Sequence, residues 1–354
     1  MDEVHPADMQ PVRLWKGVAL MTIRESLEHW EEEYLSPYAA LSMRSKGRET
    51  DEEQCDIRPV FQRDRDRILH SKSFRRLKDK TQVFLAPEGD HYRTRLTHTL
   101  EVSQNARTIA KALKLNEDLV EAIALGHDLG HTPFGHAGER ALNKVCPYGF
   151  EHSQQSVRTV ERLEKKGKGL NLTYEVRDGI LNHQTSGTPH TLEGKIVRLS
   201  DKIAYIHHDM DDAIRGGILT EADVPEEIGE VIGYTTGERL DHFIHDIVIH
   251  SVGQDDIRMS PAVEAAMKKL RSFMFERVYQ NPVAKSEEGK AEALIMTLYQ
   301  YYLSHIDDLP KEYQNLITEG EPREKVVCDY VGAMSDRFAI SQYEEIYIPK
   351  SWII

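Results

Sequence analysis

The chain has 354 residues, of which 40% are hydrophobic and 29% charged, a composition typical of folded globular proteins. Its formal net charge of -14 argues against a surface built to adsorb nucleic acid, because such a surface must supply positive charge. The cysteines Cys55, Cys146 and Cys328 are widely spaced, so we expect reduced thiols rather than a disulfide framework or a zinc knuckle.

The ends of the chain and its apolar stretches give no targeting or membrane signal. Residues Met1 to Lys16 include Asp2, Glu3 and Asp8 and lack the basic start and long apolar run of a secretion signal. The apolar stretches are too short and too often interrupted by charge to cross a bilayer. We therefore expect a cytoplasmic protein without a membrane span.

The first elements in chain order are two helices of unequal importance. Loose helical spacing from Ile23 to Leu35 is followed by an exposed linker, so residues 1–50 are predicted to be peripheral. A second helix is predicted from Arg63 to Leu77. It lies in a basic run between Arg58 and Arg95 that contrasts with the acidic chain and suits small phosphorylated ligands.

Two helices and a loop follow. Apolar and small residues recur every three or four positions from Leu96 to Leu113, which predicts a long amphipathic helix with His98 near its start. The next helix, Leu119 to about His127, is apolar on nearly all sides and should be buried, with Asn116 or Asp118 as its cap. Glycines and a proline then predict a tight loop over 128–138 and a further helix from Glu139.

The remaining elements are also helical. Another long helix is predicted from Leu192 to Ile214, with Asp201, Tyr205 and Asp209 on one face because they are spaced by four. Prolines mark the boundaries of several later helices, and few windows alternate as strands do. The sequence therefore predicts an all-α protein.

Four side chains on three of these helices could converge on one metal ion. His98 precedes the His127-Asp128 pair by 29 residues, and Asp201 follows Asp128 by 73. Buried imidazoles and carboxylates are costly unless paired or metal-bound. A mixed nitrogen and oxygen set suits Mn, Mg, Ni, Fe or Zn without selecting among them. The alternative is that His127 and Asp128 only cap their helices.

Several longer blocks resemble the HD-domain deoxynucleoside triphosphate triphosphohydrolases, especially the bacterial deoxyguanosinetriphosphate triphosphohydrolase-like proteins. The blocks that carry this resemblance are Arg75–Phe84, Arg93–Val102, Gly126–Glu139, Phe150–Gln154 and Ser200–Tyr205. They span about Arg58 to Asp212, and Asp329–Glu344 resembles the family more weakly. A bare His-Asp pair is a weak signal, whereas this ordered set is specific.

The resemblance implies an HD-domain helical bundle with additional C-terminal helices. We expect a core over residues 51–220 and a C-terminal helical region over 221–354 packed on it. Enzymes of this family cut between the α-phosphorus and the 5' oxygen of a deoxynucleotide, releasing deoxynucleoside and inorganic triphosphate. By resemblance, His98, His127, Asp128 and Asp201 are the ligands of a divalent metal ion.

The resemblance also implies catalytic groups after the His-Asp pair. His136 and Glu139 match a catalytic histidine and its acidic partner. A carboxylate that is hydrogen-bonded to an imidazole fixes the tautomer of the ring and raises its basicity. The alternative is an ordinary surface pair on a helix. His131 and His152 match positions near the phosphates, where an imidazole could stabilise developing charge.

Substrate contacts are implied at five further positions. Arg95, one helical turn before His98, would direct a guanidinium toward phosphate oxygens. Lys202 and Tyr205 resemble phosphate and sugar contacts, Asp209 would hold the ribose 3' hydroxyl, and Gln82 would help to exclude a 2' hydroxyl. The alternatives for Tyr205 and Asp209 are a packed tyrosine and a solvated helix charge.

Three functions remain open at this point. The first is a metal-dependent deoxynucleotide triphosphohydrolase. The second is an HD phosphohydrolase acting on a nucleoside monophosphate or a signalling nucleotide. The third is a nucleotide-regulated nucleic-acid-binding protein, which the acidic charge disfavours. The resemblance also implies a homo-oligomer and, in some members, a deoxynucleotide effector; no sequence feature fixes the base or the subunit number.

Overall fold

The structure, a computed structural model, describes residues 21–82, 93–280 and 287–350. Within these ranges the regular elements are helices, and extended pairing is limited to an isolated bridge between Thr81 and Thr94. The all-α class predicted from the sequence is confirmed. None of the described helices is both long and apolar enough to span a bilayer.

The helices are numbered here in chain order. They are α1 (Ile23–Tyr34), α2 (Val60–Leu69), α3 (Lys72–Arg76), α4 (Arg95–Leu113), α5 (Glu117–Gly126), α6 (Gly135–Val145), α7 (His152–Arg158), α8 (Glu164–Gly167), α9 (Tyr174–Leu181), α10 (Leu192–Arg215), α11 (Glu226–Ile232), α12 (Thr236–Ser251), α13 (Pro261–Met274), α14 (Glu288–Ser304), α15 (Lys311–Thr318), α16 (Arg323–Ala333) and α17 (Asp336–Tyr347). Short 3-10 or π turns lie at Ser42–Arg44, Leu77–Asp79, Thr159–Leu163, Glu221–Asp223, Phe275–Tyr279 and Ile306–Asp308.

Two apolar cores hold the helices together. The first is built from α2, α4, α5 and α9 to α13, with the nearly all-apolar α5 at its centre. The second joins α6 to α14, α15, α16 and α17. Helix α6, which follows the loop after Asp128, is therefore packed by the C-terminal region. The first core includes helices on both sides of residue 220, and a boundary there stays a prediction.

Most predicted helices are found close to their predicted bounds, and two differ. The region predicted as one helix from Arg63 breaks after Leu69 because Ser71 caps a separate α3, its hydroxyl accepting a bond from Phe74 N–H. Helix α6 begins at Gly135 rather than at Glu139. Its N-cap is Phe134, in the left-handed region at φ 60, whose N–H donates to Asp336 Oδ1 at 2.9 Å.

The segment before α2 is tied to the core through carboxylates. Ala40 N–H donates to the buried Glu193 at 3.0 Å, and Lys46 N–H donates to the buried Glu175 at 2.7 Å. Arg48 pairs with Asp64, which is fully buried. The predicted peripheral segment thus has a described part, residues 21–50, that is anchored; residues 1–20 lie outside the described residues.

The cysteines and the helix cap follow the sequence predictions. Cys55, Cys146 and Cys328 are free thiols, and the last two are buried. Asn116, rather than Asp118, caps α5, its side-chain oxygen accepting from Leu119 N–H at 3.2 Å.

Candidate metal centre and active-site cavity

The four predicted metal ligands meet where α4, α5 and α10 pack against one another. His98 lies in the first turn of α4, His127 and Asp128 follow α5, and Asp201 lies within α10. His98 Nε2 is 3.1 Å from Asp201 Oδ1. His127 Nε2 is 3.5 Å from Asp128 Oδ1 and 3.7 Å from Asp201 Oδ1. The helices therefore bring all four side chains together.

The orientation of the two imidazoles fits a cation between them and the carboxylates. His127 Nδ1 lies 2.6 Å from the carbonyl oxygen of Ala124 and must donate to it. In the neutral ring Nε2 is then an acceptor, and it is buried without a hydrogen-bond partner among the described residues. A buried, unsatisfied nitrogen beside carboxylates is costly unless a cation is bound. The donor set thus fits a divalent ion, with the His127 ring oriented through its other nitrogen.

A second group of histidines lies beside the first. Asp128, His131 and His152 also have ligand atoms within 4.8 Å of one another. The rings of His131 and His152, however, stack with centroids 3.9 Å apart and planes at 18°. A cation in the plane of one ring would lie outside the plane of the other. This pair is therefore better arranged to donate to an anion than to share a metal.

Glu139 links the other predicted catalytic residues. It accepts from the N–H of His152 at 2.8 Å, and its carboxylate contacts His152 Nδ1 at 3.1 Å and His136 Nδ1 at 3.3 Å. The side chain of His136 is 70% exposed, whereas His152 is buried. The arrangement is more than a surface pair on one helix, because Glu139 joins α6 to the start of α7.

Electrostatics at this junction favour a charged pair. Burial acts to raise the pKa of Glu139, but hydrogen bonds from His136 and His152 outweigh it and hold the pKa well below its usual range. Burial acts to lower the pKa of His152, and the bond and charge of Glu139 raise it nonetheless. Near neutral pH the junction can therefore hold a proton on His152 close to the cavity.

An open cavity of about 840 Å³ adjoins both groups, within the size range of small-molecule sites. With the exception of His127, which is fully buried, every predicted site residue lines it. The predicted substrate contacts on its wall are Gln82, Arg95, Lys202, Tyr205 and Asp209.

Asp209 and Tyr205 form one wall of the cavity together with Tyr279. Asp209 is 1% exposed and accepts a hydrogen bond from the Tyr279 hydroxyl. Burial raises the pKa of Asp209 to about 7, although the bond from Tyr279 opposes the shift. The Tyr205 ring stacks on that of Tyr279, with centroids 5.9 Å apart. The alternative of a solvated helix charge at Asp209 is therefore wrong.

Arg95 is more deeply buried than an arginine that is free to bind phosphate would be. It is 2% exposed, and its Nη1 donates to Asp128 Oδ2 at 2.8 Å. It is the one member of the described basic run that lines the cavity. Other arginines of that run pair with carboxylates, as Arg58 does with Asp66 and Arg93 with Asp211. The basic run is thus largely neutralised by ion pairs.

Several residues of the cavity wall were not predicted from the sequence. His183, Gln184, Arg271 and Tyr279 line it beside the predicted residues. His183 carried a usable signal: it follows the apolar residues of α9 as His127 follows those of α5, and its Nδ1 likewise lies 2.7 Å from a carbonyl oxygen, that of Ile180. Arg271 and Tyr279 come from distant helical segments and carried no local signal.

Comparison with known proteins agrees with this geometry. The HD domain model matches residues 95–206, and the phosphohydrolase-associated domain model matches residues 257–345. These two matches cover the helices that carry the metal-ligand candidates and the C-terminal helices behind the cavity.

Three relatives are similar to the chain over nearly all of their length, and each is named deoxyguanosinetriphosphate triphosphohydrolase-like protein. That from Caldanaerobacter subterraneus subsp. tengcongensis is 56% identical, over 94% of this chain and 98% of its own. That from Desulfatibacillum aliphaticivorans is 49% identical, over 93% of this chain and 99% of its own. That from Clostridium tetani is 46% identical, over 93% of this chain and 97% of its own. The chain belongs to the HD-domain deoxyguanosinetriphosphate triphosphohydrolase-like family.

Proposed function

We propose that the protein hydrolyses deoxynucleoside triphosphates to deoxynucleoside and inorganic triphosphate, at a divalent metal ion held by His98, His127, Asp128 and Asp201. The observation that carries this proposal concerns the buried Nε2 of His127, beside a cavity of about 840 Å³. This nitrogen lies near two carboxylates and has no hydrogen-bond partner in the described part of the chain. A divalent ion there would supply Lewis-acid polarisation of a phosphate oxygen and a lower pKa for water.

The residues around the α-phosphate would stabilise charge and move a proton. We assign His131 and His152, with their stacked rings, as donors to the phosphate oxygens, where charge develops in the transition state. We assign His136 as the acid that protonates the leaving 5' oxygen, with Glu139 fixing its orientation through Nδ1. The exposure of His136 allows its ring to swing onto a bound substrate.

The far wall of the cavity suits the remainder of a deoxynucleotide. Lys202 and Arg271 are cations on that wall and would hold the outer phosphates. Asp209 with Tyr279 would bind the ribose 3' hydroxyl. Gln82 Oε1 is buried and has no hydrogen-bond partner within residues 21–82, 93–280 and 287–350, and it would contact the sugar near its 2' position. The names of the relatives support a deoxynucleoside triphosphate as the substrate class.

The test is product identification. Metal-loaded protein is incubated with each deoxynucleoside triphosphate, alone and in pairs, and the products are separated by ion exchange. We expect deoxynucleoside and inorganic triphosphate, abolished in Asp128→Ala and retained in Asp241→Ala, whose carboxylate is 73% exposed. Formation of a diphosphate or monophosphate, or no turnover with any nucleotide pair and metal, would overturn the proposal.

The same incubations address activation and assembly. We propose, from the resemblance to the family, that the protein is a homo-oligomer and that a deoxynucleotide can act as effector. In that case one nucleotide raises the turnover of another, and the mass measured by light scattering exceeds that of one chain. A monomer whose turnover is unchanged in every nucleotide pair would contradict this part.

A further inference from the structure

Behind the metal-ligand candidates, two polar side chains lie in line with His98. His208 Nδ1 lies 3.4 Å from His98 Nδ1, on the side of the ring opposite Asp201. His208 Nε2 in turn pairs with Glu101 Oε2. His208 is 2% exposed, so both of its ring nitrogens are committed inside the protein.

Helix geometry produces this line. His98 and Glu101 are three residues apart on α4, and Asp201 and His208 are seven apart on α10, so each pair shares one helix face. The two helices pack side by side. Arg93 Nε donates to the other carboxylate oxygen of Glu101, Oε1, at 3.3 Å, which keeps that carboxylate ionised and in place.

The Glu101 carboxylate determines which nitrogen donates and which accepts along the line from Glu101 through His208 to His98. A carboxylate only accepts, so His208 Nε2 must be the protonated nitrogen and the Nδ1 of the neutral ring an acceptor. His98 Nδ1 must then donate to His208. The remaining nitrogen, His98 Nε2, is left with a lone pair facing Asp201 Oδ1 at 3.1 Å. Two acceptors at this separation call for a cation between them.

We propose that Glu101 and His208 form a positioning relay that fixes the tautomer and orientation of His98 and so tightens metal binding. The proposal rests on the proposed function only in taking His98 as a metal ligand. Outer partners of ligating histidines typically contribute 10–100-fold in metal affinity. Neither Glu101 nor His208 lines the cavity, so changing them removes no contact between the protein and a substrate.

The experiment measures Zn²⁺ affinity of the full chain by competition with a chromophoric chelator, without nucleotide. We expect a 10–100-fold loss in His208→Ala and a smaller loss in Glu101→Gln. The matched control is His207→Ala, the neighbouring histidine, which we expect to bind as the wild type does. Because the Glu101 side chain is 38% exposed, we expect Glu101→Gln to preserve the fold even if His208→Ala does not.

A spectroscopic measurement distinguishes the loss of His98 positioning from a general loosening of the fold. In Zn²⁺-loaded protein with ring-¹⁵N histidine, the His98 Nδ1 proton should give a protected downfield signal that is absent in His98→Ala. We expect this signal to shift upfield or be lost in His208→Ala and Glu101→Gln and to stay unchanged in His207→Ala. Unchanged affinity and signal in Glu101→Gln would overturn the relay, whereas wild-type affinity in His98→Ala would overturn the metal site itself.

Discussion

At the scale of single residues, Asp209 shows how a site residue can cost stability. It is a nearly fully buried carboxyl whose described partner is the Tyr279 hydroxyl. Burial raises its pKa in the folded protein to about 7 from the ordinary value of 3.8. Such groups are retained at functional sites although a neutral side chain would be more stable there.

We expect Asp209→Asn to be more stable than the wild type at alkaline pH and to lose activity. Because the folded pKa is the higher one, the folded wild type binds more protons than the unfolded chain, and its stability falls as pH rises from about 4 to about 7. The variant lacks this slope. Its advantage in the free energy of unfolding, measured in urea, should be larger at pH 8 than at pH 5, by roughly 2.5 kcal/mol.

The control for this prediction is Asp241→Asn, at a 73% exposed carboxylate. Its free energy of unfolding should change with pH as that of the wild type does. If the free energy of unfolding of Asp209→Asn also followed the wild type across this pH range, the Asp209 carboxyl would have an ordinary pKa in the folded protein.

At the scale of elements, the close approach of α9 to α5 places His183 beside His127, one of the metal-ligand candidates. Gly179 of α9 lies directly over Ile123 of α5, and a Cβ at Gly179 would come within 2.5 Å of Ile123 Cδ1. The His183 and His127 rings that follow these helices lie 5.0 Å apart. The small residue therefore sets how near the two helix ends can come.

Gly179→Ala should destabilise the protein by about 1–3 kcal/mol through overpacking, in spite of the better helix propensity of alanine. Removing the obstructing side chain in Gly179→Ala/Ile123→Ala should cost less than the sum of the single changes. A double-mutant cycle in urea measures this coupling.

The comparison variant is Gly237→Ala in α12, where an added Cβ meets no atom of the described residues within 4 Å. This change should leave the free energy of unfolding equal or higher. Additive effects of Gly179→Ala and Ile123→Ala would show that the helices do not depend on this contact.

What the sequence could predict at this scale is local. The periodicity of α4, α5 and α10 gave their existence and nearly their ends, and the motifs on them gave the residues that converge. The start of α6 could not be predicted, because its N-cap, Phe134, has positive φ and no side-chain cap bond. Its support comes from Asp336, some 200 residues away in sequence.

At the scale of the whole molecule, the C-terminal helices contact the loop that joins Asp128 to α6. Asp336 accepts from Thr81 N–H and Phe134 N–H, both at 2.9 Å. The buried side-chain nitrogen of Lys80, Nζ, donates to the carbonyl oxygens of His131 and Gly332. The weak family resemblance around Asp329–Glu344 thus coincides with contacts to the loop after Asp128. Asp336 could not be assigned from local patterns because its partners, Thr81 and Phe134, are distant in sequence.

Asp336→Ala should loosen the loop from His131 to His136. It leaves two buried or half-buried N–H groups without their acceptor, at a cost of about 1–3 kcal/mol each. We expect reduced turnover and faster hydrogen exchange at the Phe134 amide, with the exposed Glu344→Ala in the same helix as control. Exchange and turnover equal to those of the control would show that the C-terminal region does not support the loop.

The measurement that tests the central claim most directly is the metal content of the dialysed protein and of Asp201→Asn, determined by mass spectrometry alongside hydrolysis of deoxynucleoside triphosphates. We expect about one tightly held divalent ion per chain, lost together with triphosphate release in Asp201→Asn, because a neutral amide is a far weaker ligand than a carboxylate. Unchanged metal content in Asp201→Asn, or triphosphate release that survives complete removal of metal, would contradict the claim.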